Sequence, residues 1–256
     1  MDVDRRGFIK LAGIAFVGLL AAKPIFDVFS RAEAPKIAAE TEVSSKIKWG
    51  MAIKIGNCKD GCTECITACD NIHNVPDIPD PKHEIKWIWD ANYEEVFPEQ
   101  DSPYIANSLK SLPVLVLCNH CLKPPCCRVC PTGATWKRAD GIVMMDYHRC
   151  IGCRYCMAGC PYGARSFNWV DPRPYIKTLN PDYPTRTKGV VEKCDFCEER
   201  LAKGLIPACV EACTEKVLVF GDLNDPNSDI RKLLATNYSI QRKAELGTGP
   251  NIYYVI

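Results

Sequence analysis

Residues 150–161 read CIGCRYCMAGCP, with Cys150, Cys153, Cys156 and Cys160 separated by two, two and three residues and followed by Pro161. Spacing this short lets three thiolates wrap one corner of an iron–sulfur cubane while N–H groups of the loop point at the sulfurs. The fourth cysteine lies one helical turn beyond the third and faces away from that corner, so it ligates the other cluster of a pair. A group of this kind therefore requires a partner group elsewhere in the chain.

Three more groups are present. Residues 58–70, CKDGCTECITACD, carry Cys58, Cys62, Cys65 and Cys69. Residues 118–131, CNHCLKPPCCRVCP, carry Cys118, Cys121, Cys126 and Cys130, with Cys127 in addition. Residues 194–213, CDFCEERLAKGLIPACVEAC, carry Cys194, Cys197, Cys209 and Cys213. Cys126 leaves three residues before Cys130, matching Cys156 to Cys160 and Cys209 to Cys213, so Cys126 is the expected ligand and Cys127 a small packed thiol. Four groups working in twos imply two pairs and four 4Fe–4S clusters. Structural zinc needs two Cys-x-x-Cys pairs rather than four ligands within eleven residues. A disulfide framework is disfavoured by the odd count of 17 cysteines and by the adjacent Cys126-Cys127.

Working outward, short β-branched or aromatic segments follow the last cysteine of three groups: CPTGATWKR, CPYGARSFNWV and CTEKVLVFGDL. Ala139-Asp140-Gly141 between Thr135–Arg138 and Ile142–Asp146 is a hairpin signal. Helical turns are expected around the third and fourth cysteines. The expected fold class is α+β, with two bacterial-ferredoxin-like double-cluster modules, the second inserted in the first, and an N-terminal apolar segment. The expected boundaries are 1–45 for a signal or anchor with its linker, 46–112 plus 189–221 for the outer module, 113–188 for the inner module, and 222–256 for a docking tail. In that tail Asp225-Pro226 is expected to begin a helix through Asn237. Trp87 and Trp89 alternate with charged and aliphatic residues, as strand residues do.

The chain has 256 residues, 47% apolar and 25% charged, an ordinary globular composition. Its formal charge of +1 omits the clusters. At about −2 for each cubane with its four thiolates, the loaded protein falls to roughly −7. No basic run suggests nucleic acid. The N-terminus places Arg5-Arg6 before Gly7-Phe8-Ile9-Lys10 and an uncharged stretch from Leu11 to Ala22. That is the twin-arginine export pattern, which suits a protein folded around clusters before it crosses the membrane to the periplasmic or extracytoplasmic face. Ala32-Glu33-Ala34 has the small-x-small form of a cleavage site, yet Pro35 follows it. Removal and a retained anchor both stay open.

The phrases CNHCLKPPCCRVCPTGAT, CIGCRYCMAGCPYGAR, EKCDFCEERLAKGLIPACVEAC, GDLNDPNS and ELGTGPNIYYVI resemble the four-cluster subunits of polysulfide, tetrathionate and nitrite reductase complexes, over about Ile47 to Ile256. With the export signal added, the chain is most similar to the DsrO-type branch of that family, the exported subunits of sulfur-metabolism respiratory complexes. The resemblance implies a linear electron wire beside an integral-membrane, quinone-handling subunit of the NrfD type, and for the DsrO-type branch a multihaem cytochrome c. It also implies crossed ligation. Cys58, Cys62 and Cys65 would share a cluster with Cys213, and Cys194, Cys197 and Cys209 one with Cys69. Cys118, Cys121 and Cys126 would pair with Cys160, and Cys150, Cys153 and Cys156 with Cys130. Two departures stand out: three residues lie between Cys58 and Cys62, and Asp70 and Thr214 replace the prolines of the other groups. Gly61 is the residue expected to absorb the extra position.

The expected function is one-electron relay without bond-making catalysis, since the sequence contains no Ser/His/Asp arrangement, phosphate loop or dinucleotide fingerprint. A chain that completes a molybdopterin oxidoreductase stays open as an alternative; an iron–sulfur redox sensor is disfavoured by the export signal. His120, between Cys118 and Cys121, is expected to donate a hydrogen bond near a cluster rather than to bind metal. Anaerobic analysis of the purified protein should return about sixteen irons and sixteen acid-labile sulfides per chain, four per cubane. About eight of each, with no apoprotein fraction, would rule out four clusters.

Overall fold

The computed structural model describes residues 46–59 and 61–256; the twin-arginine segment and the expected anchor lie outside them. Ten strands follow in chain order: β1 (Trp49–Lys54), β2 (Ile88–Asn92), β3 (Pro113–Leu117), β4 (Thr135–Lys137), β5 (Val143–Met145), β6 (Ser166–Phe167), β7 (Val191–Glu192), β8 (Leu218–Asp222), β9 (Ser239–Ile240) and β10 (Ile252–Val255). The described helices are short, and the longest, Glu64–His73, has ten residues. The result is an α+β fold.

The four-stranded sheet has the order β8-β1-β10-β9, with β1 parallel to β10 and antiparallel to β8. Strand β1 reads WGMAIK, a nearly continuous apolar run, because both of its faces are covered. Met51 and Ile53 point into the main core with Ile252 and Tyr254. Ala52 points the other way, onto Ile230, Leu223 and Val255. Ile230 is fully buried there, which stabilises the fold by roughly 1.5–3 kcal/mol. Ile230 belongs to the helix Asp229–Thr236, whose N-cap is Ser228; its hydroxyl accepts the Arg231 N–H at 3.3 Å. The helix therefore starts later than Asp225-Pro226 suggested. The Asp225 carboxylate instead accepts the Asn227 N–H at 2.8 Å and spends the capping signal on a turn. The segment after 222 supplies β9 and β10, so it is built into the same sheet as β1.

The remaining strands form antiparallel pairs, β2 with β3, β4 with β5 and β6 with β7. Each pair joins one cysteine group to the next. The chain leaves the first group toward β2 and enters the second from β3. The β4–β5 hairpin, at the Ala139–Gly141 turn the sequence marks, connects the second to the third. Strand β6 leaves the third, and β7 leads into the fourth. Strand β8 leaves the fourth and pairs with β1, which leads into the first. Four strand pairs thus link four groups into a closed circuit.

Each group turns in the same way. The residue before its second cysteine has a positive φ: Gly61 at 71°, His120 at 41°, Gly152 at 69° and Phe196 at 61°. The regularity aligns Cys58–Cys62 with the three Cys-x-x-Cys pairs. At Gly152 the constraint is doubled, because an added Cβ would collide with the carbonyl oxygen of Gly189. At Gly163 φ is 66° and the space is open. Gly163→Ala should cost about 1–2 kcal/mol from backbone strain alone, read as a lowered thermal midpoint of the loaded protein. Gly152→Ala should cost clearly more and release iron. Equal losses in the two variants would contradict the close approach of Gly152 to Gly189.

Candidate iron–sulfur sites

The third cysteine of each group sits on a short helix. Cys65 and Cys69 share Glu64–His73, Cys126 lies in Pro125–Arg128, Cys156 in Tyr155–Ala158 and Cys209 in Ala208–Glu211. The helices pack in twos: Glu64–His73 against Ala208–Glu211, and Pro125–Arg128 against Tyr155–Ala158. With the helices paired, Cys69 comes near Cys209, Cys213 near Cys65 and Cys160 near Cys121.

The buried thiols lie close enough to one another to interact electrostatically. Burial, then Cys213, Cys58 and Cys62, pushes the Cys65 thiol up to about 12. Burial and the carboxylates of Asp70 and Asp195 hold Cys69 well above its ordinary value. Burial and Cys69 do the same for Cys194 and for Cys209. Burial also pushes Cys197, another neighbour of Cys69 and Cys209, up to about 11. Cys121 rises to about 12 through burial and then Cys118, with Cys126 and Cys160 also within reach. One cavity is lined by Cys118, Cys121, Cys126 and Cys160 together. In the remaining set Cys156 lies near Cys150, Cys153 is exposed, and Cys130 stands 3.6 Å from the Thr132 hydroxyl.

Cys126 and Cys127 differ. The Cys127 side chain lowers Cys126 to about 5, against burial and with help from Arg165. Cys127 is itself raised by Cys126 and keeps its proton. Arg165, beside Cys126, favours the thiolate there, which is the ligating form. Backbone donors add to this. The N–H groups of Phe196, Ala208 and Val217 lie 3.5, 3.4 and 3.3 Å from the sulfurs of Cys194, Cys197 and Cys213. Such donors favour charged sulfur, whereas burial alone keeps most of these thiols protonated. The donor set fits a core of several irons whose positive charge stabilises buried thiolates.

His120 is wholly buried and stacks on Phe196 at 3.7 Å. Its Nδ1 accepts the Val143 N–H at 3.0 Å, which puts the ring proton on Nε2. Burial, then Lys193 and Arg165, holds it well below its ordinary value, so the ring is neutral.

Sequence reading missed His73 and its surroundings. His73 Nδ1–H donates to the Cys69 carbonyl at 3.0 Å, and Nε2 lies 3.3 Å from Glu199 and 3.6 Å from Asp195. Burial opposes its charge, yet Cys197, Glu199 and Asp195 raise it to about 10. Asp195 also accepts the Cys197 N–H at 2.9 Å and the Tyr183 hydroxyl at 2.8 Å. His73 stacks on Trp87 at 4.5 Å. Trp87 donates through Nε1 to Glu192 at 3.1 Å, and Glu192 pairs with Arg186 at 2.6 Å, both side chains fully buried. These residues are scattered between positions 73 and 199 and none carries a motif; only the Lys193-Cys194-Asp195 juxtaposition hints at a role.

Two stretches, 112–173 and 173–223, match the 4Fe-4S dicluster domain. The chain is 40% identical to the Hdr-like menaquinol oxidoreductase iron-sulfur subunit 1 of Archaeoglobus fulgidus, over 98% of this chain and 97% of that protein. It is 38% identical to the menaquinone reductase iron-sulfur cluster-binding subunit of Nitratidesulfovibrio vulgaris, over 82% of this chain and 89% of the relative. It is 34% identical to a subunit of the tetrathionate reductase of Salmonella typhimurium, over 100% of this chain and 89% of that one. The chain belongs to the family of dicluster iron–sulfur subunits of multi-subunit oxidoreductases. Its cofactors are 4Fe–4S clusters, four from two dicluster units, and its part is electron transfer rather than catalysis.

The buried ion pair offers a direct check on the network beside His73. Glu192→Ala leaves Arg186 without its counter-charge and should cost about 3–5 kcal/mol, read by denaturant unfolding of the loaded protein. A cost under about 1 kcal/mol, the range of an exposed pair, would mean that Arg186 is not buried as described.

Proposed function

We propose that this chain relays single electrons along a line of four clusters held by crossed cysteine sets. The sets are Cys58, Cys62, Cys65 with Cys213; Cys194, Cys197, Cys209 with Cys69; Cys118, Cys121, Cys126 with Cys160; and Cys150, Cys153, Cys156 with Cys130. The observation that carries this reading is the neighbourhood of the crossing residues: Cys213 beside Cys65, Cys69 beside Cys194 and Cys209, and Cys160 beside Cys121.

Between the sets, three further pairs of electrostatic neighbours support an order. Cys65 neighbours Cys209, Cys118 neighbours Cys194, and Cys126 neighbours Cys156. These neighbours run from the Cys58 set through the Cys69 set and the Cys160 set to the Cys130 set. Pairing of β8 with β1 supports the outer module, 46–112 with 189–221, closing around the inner one, 113–188. A cluster supplies a one-electron couple; the protein fixes its position, its surroundings and its access to water.

The partners follow from the relatives. Two of them are named for menaquinol or menaquinone chemistry, which favours a membrane quinone-handling subunit of the NrfD type at one end of the line. Among the described residues no helix is long and apolar enough to cross a membrane, so membrane association comes through that partner or through the N-terminal segment. A multihaem cytochrome c is the partner proposed at the other end, with the complex on the extracytoplasmic face after twin-arginine export, serving sulfur metabolism. Similarity to the tetrathionate reductase relative along the whole chain favours a second reading, in which a molybdopterin-bearing chain takes the cytochrome's place. Mass spectrometry of the complex purified from membranes separates the two.

Crossed ligation is tested by single substitutions. Cys213→Ala should damage the cluster beside Cys58 and leave the two inner clusters spectroscopically intact, because Cys213 reaches only the first set. Cys126→Ala should lose or convert one cluster while Cys127→Ala keeps full iron. Damage to the cluster of Cys194 on replacing Cys213, or equal iron loss at 126 and 127, would refute the assignment.

A further inference from the structure

The four proposed sites differ in the charge around them. Lys193 is 1% exposed and Arg165 5% exposed, and among the described residues neither has a carboxylate within ion-pair distance. Lys193 Nζ donates only to backbone carbonyls, those of Val143 and of Cys194, the latter at 2.7 Å. Arg165 donates to the Thr135 hydroxyl at 2.7 Å and lies 3.8 Å from the Met145 sulfur. Both border one place, and Arg165 stands between it and the adjoining set, reaching Cys126 on one side and Cys156 on the other. Arg165 and Val143 line the cavity that also holds Cys118, Cys121, Cys126 and Cys160. Lys193 lies within electrostatic reach of Cys118 and Cys126, and Arg165 of Cys118, Cys126 and Cys156. Arg242, 7% exposed, stands 5.7 Å from the ring of Tyr162, which lines the same cavity. The next site toward the first group carries carboxylates: Asp195 acts on Cys194, and Asp195 and Glu199 on Cys69, with His73 between them and Lys193 touching that side only at the Cys194 carbonyl.

A buried cation without an anionic partner is costly, so something at this place must carry the compensating negative charge. On the relay reading above, that something is the cluster. A fixed positive charge favours the reduced form, which bears one more negative charge than the oxidised form, and so raises the potential. We propose that Lys193 and Arg165 are positioning residues that make the Cys118/Cys121/Cys126/Cys160 centre the most easily reduced of the four, the electron sink of the chain. An electron entering from either end then rests one step from the Cys130 end. The carboxylates at the Cys69 centre form a step that it must cross to reach the Cys58 end.

The test is a redox titration followed by electron paramagnetic resonance, with iron counted in each sample. In Lys193→Met and in Arg165→Met, the first signal reduced in the unaltered protein should need a more negative poise. The expected change is about tenfold in its reduced-to-oxidised ratio, about 59 mV for one electron. Lys193→Arg and Arg165→Lys should keep it near the original value. An unmoved first signal in a variant that retains sixteen irons overturns the inference and leaves the relay standing. If neutralisation expels a cluster, the signal that vanishes must be the first-reduced one, and survival of that signal overturns the inference equally. Fewer than four clusters in the unaltered protein would instead remove the relay reading on which it rests.

Discussion

Buried sulfur is the constraint on which the rest depends. A thiol in an apolar pocket keeps its proton, and burial holds Cys69, Cys194 and Cys209 well above their ordinary range. Ligation requires the thiolate, so folding and metal binding must proceed together. The helices that carry the third cysteine of each group have four to ten residues, and all but one are a single turn. Such helices have little stability of their own. On the proposed ligation each cluster fastens one such turn to another group, and the strand pairs fix the distances at which this happens.

The circuit of strand pairs holds together a chain with little regular structure, whose described residues bury one main core and two smaller clusters. Strands β2 with β3, β4 with β5 and β6 with β7 are short, and four of those six have only two or three residues. They position cysteine loops rather than build large faces. The β8-β1-β10-β9 sheet supplies the packed centre, with Met51, Ile53, Ile252 and Tyr254 buried in it. Tyr254 sets its ring perpendicular to Phe97 at 5.0 Å and thereby joins the sheet to the segment after β2.

Much of this was legible in the residues. The cysteine spacing carried the cofactor, because short metal-binding loops leave few conformations and so few readings, and Ala139-Asp140-Gly141 carried the β4–β5 hairpin. Gly61 is left-handed as expected, but so is the residue before the second cysteine in the three groups without an extra residue, so its conformation belongs to the shared turn and not to the insertion. The start of the helix Asp229–Thr236 was not, because Asp225 and Ser228 are both good caps and only the packing of Ile230 under Leu223 selects the later one. Nor was the layer of charge behind the sites. Lys193, Arg165, His73 and Asp195 act through burial and proximity across the chain, properties that no local pattern carries.

The most direct measurement is anomalous diffraction at the iron absorption edge from crystals of the protein prepared without oxygen. The account predicts four separate iron maxima in an unbranched line, with the Cys69 sulfur bound at the maximum of Cys194, Cys197 and Cys209 and the Cys213 sulfur at that of Cys58, Cys62 and Cys65. A map in which Cys58, Cys62, Cys65 and Cys69 all surround one maximum would contradict it.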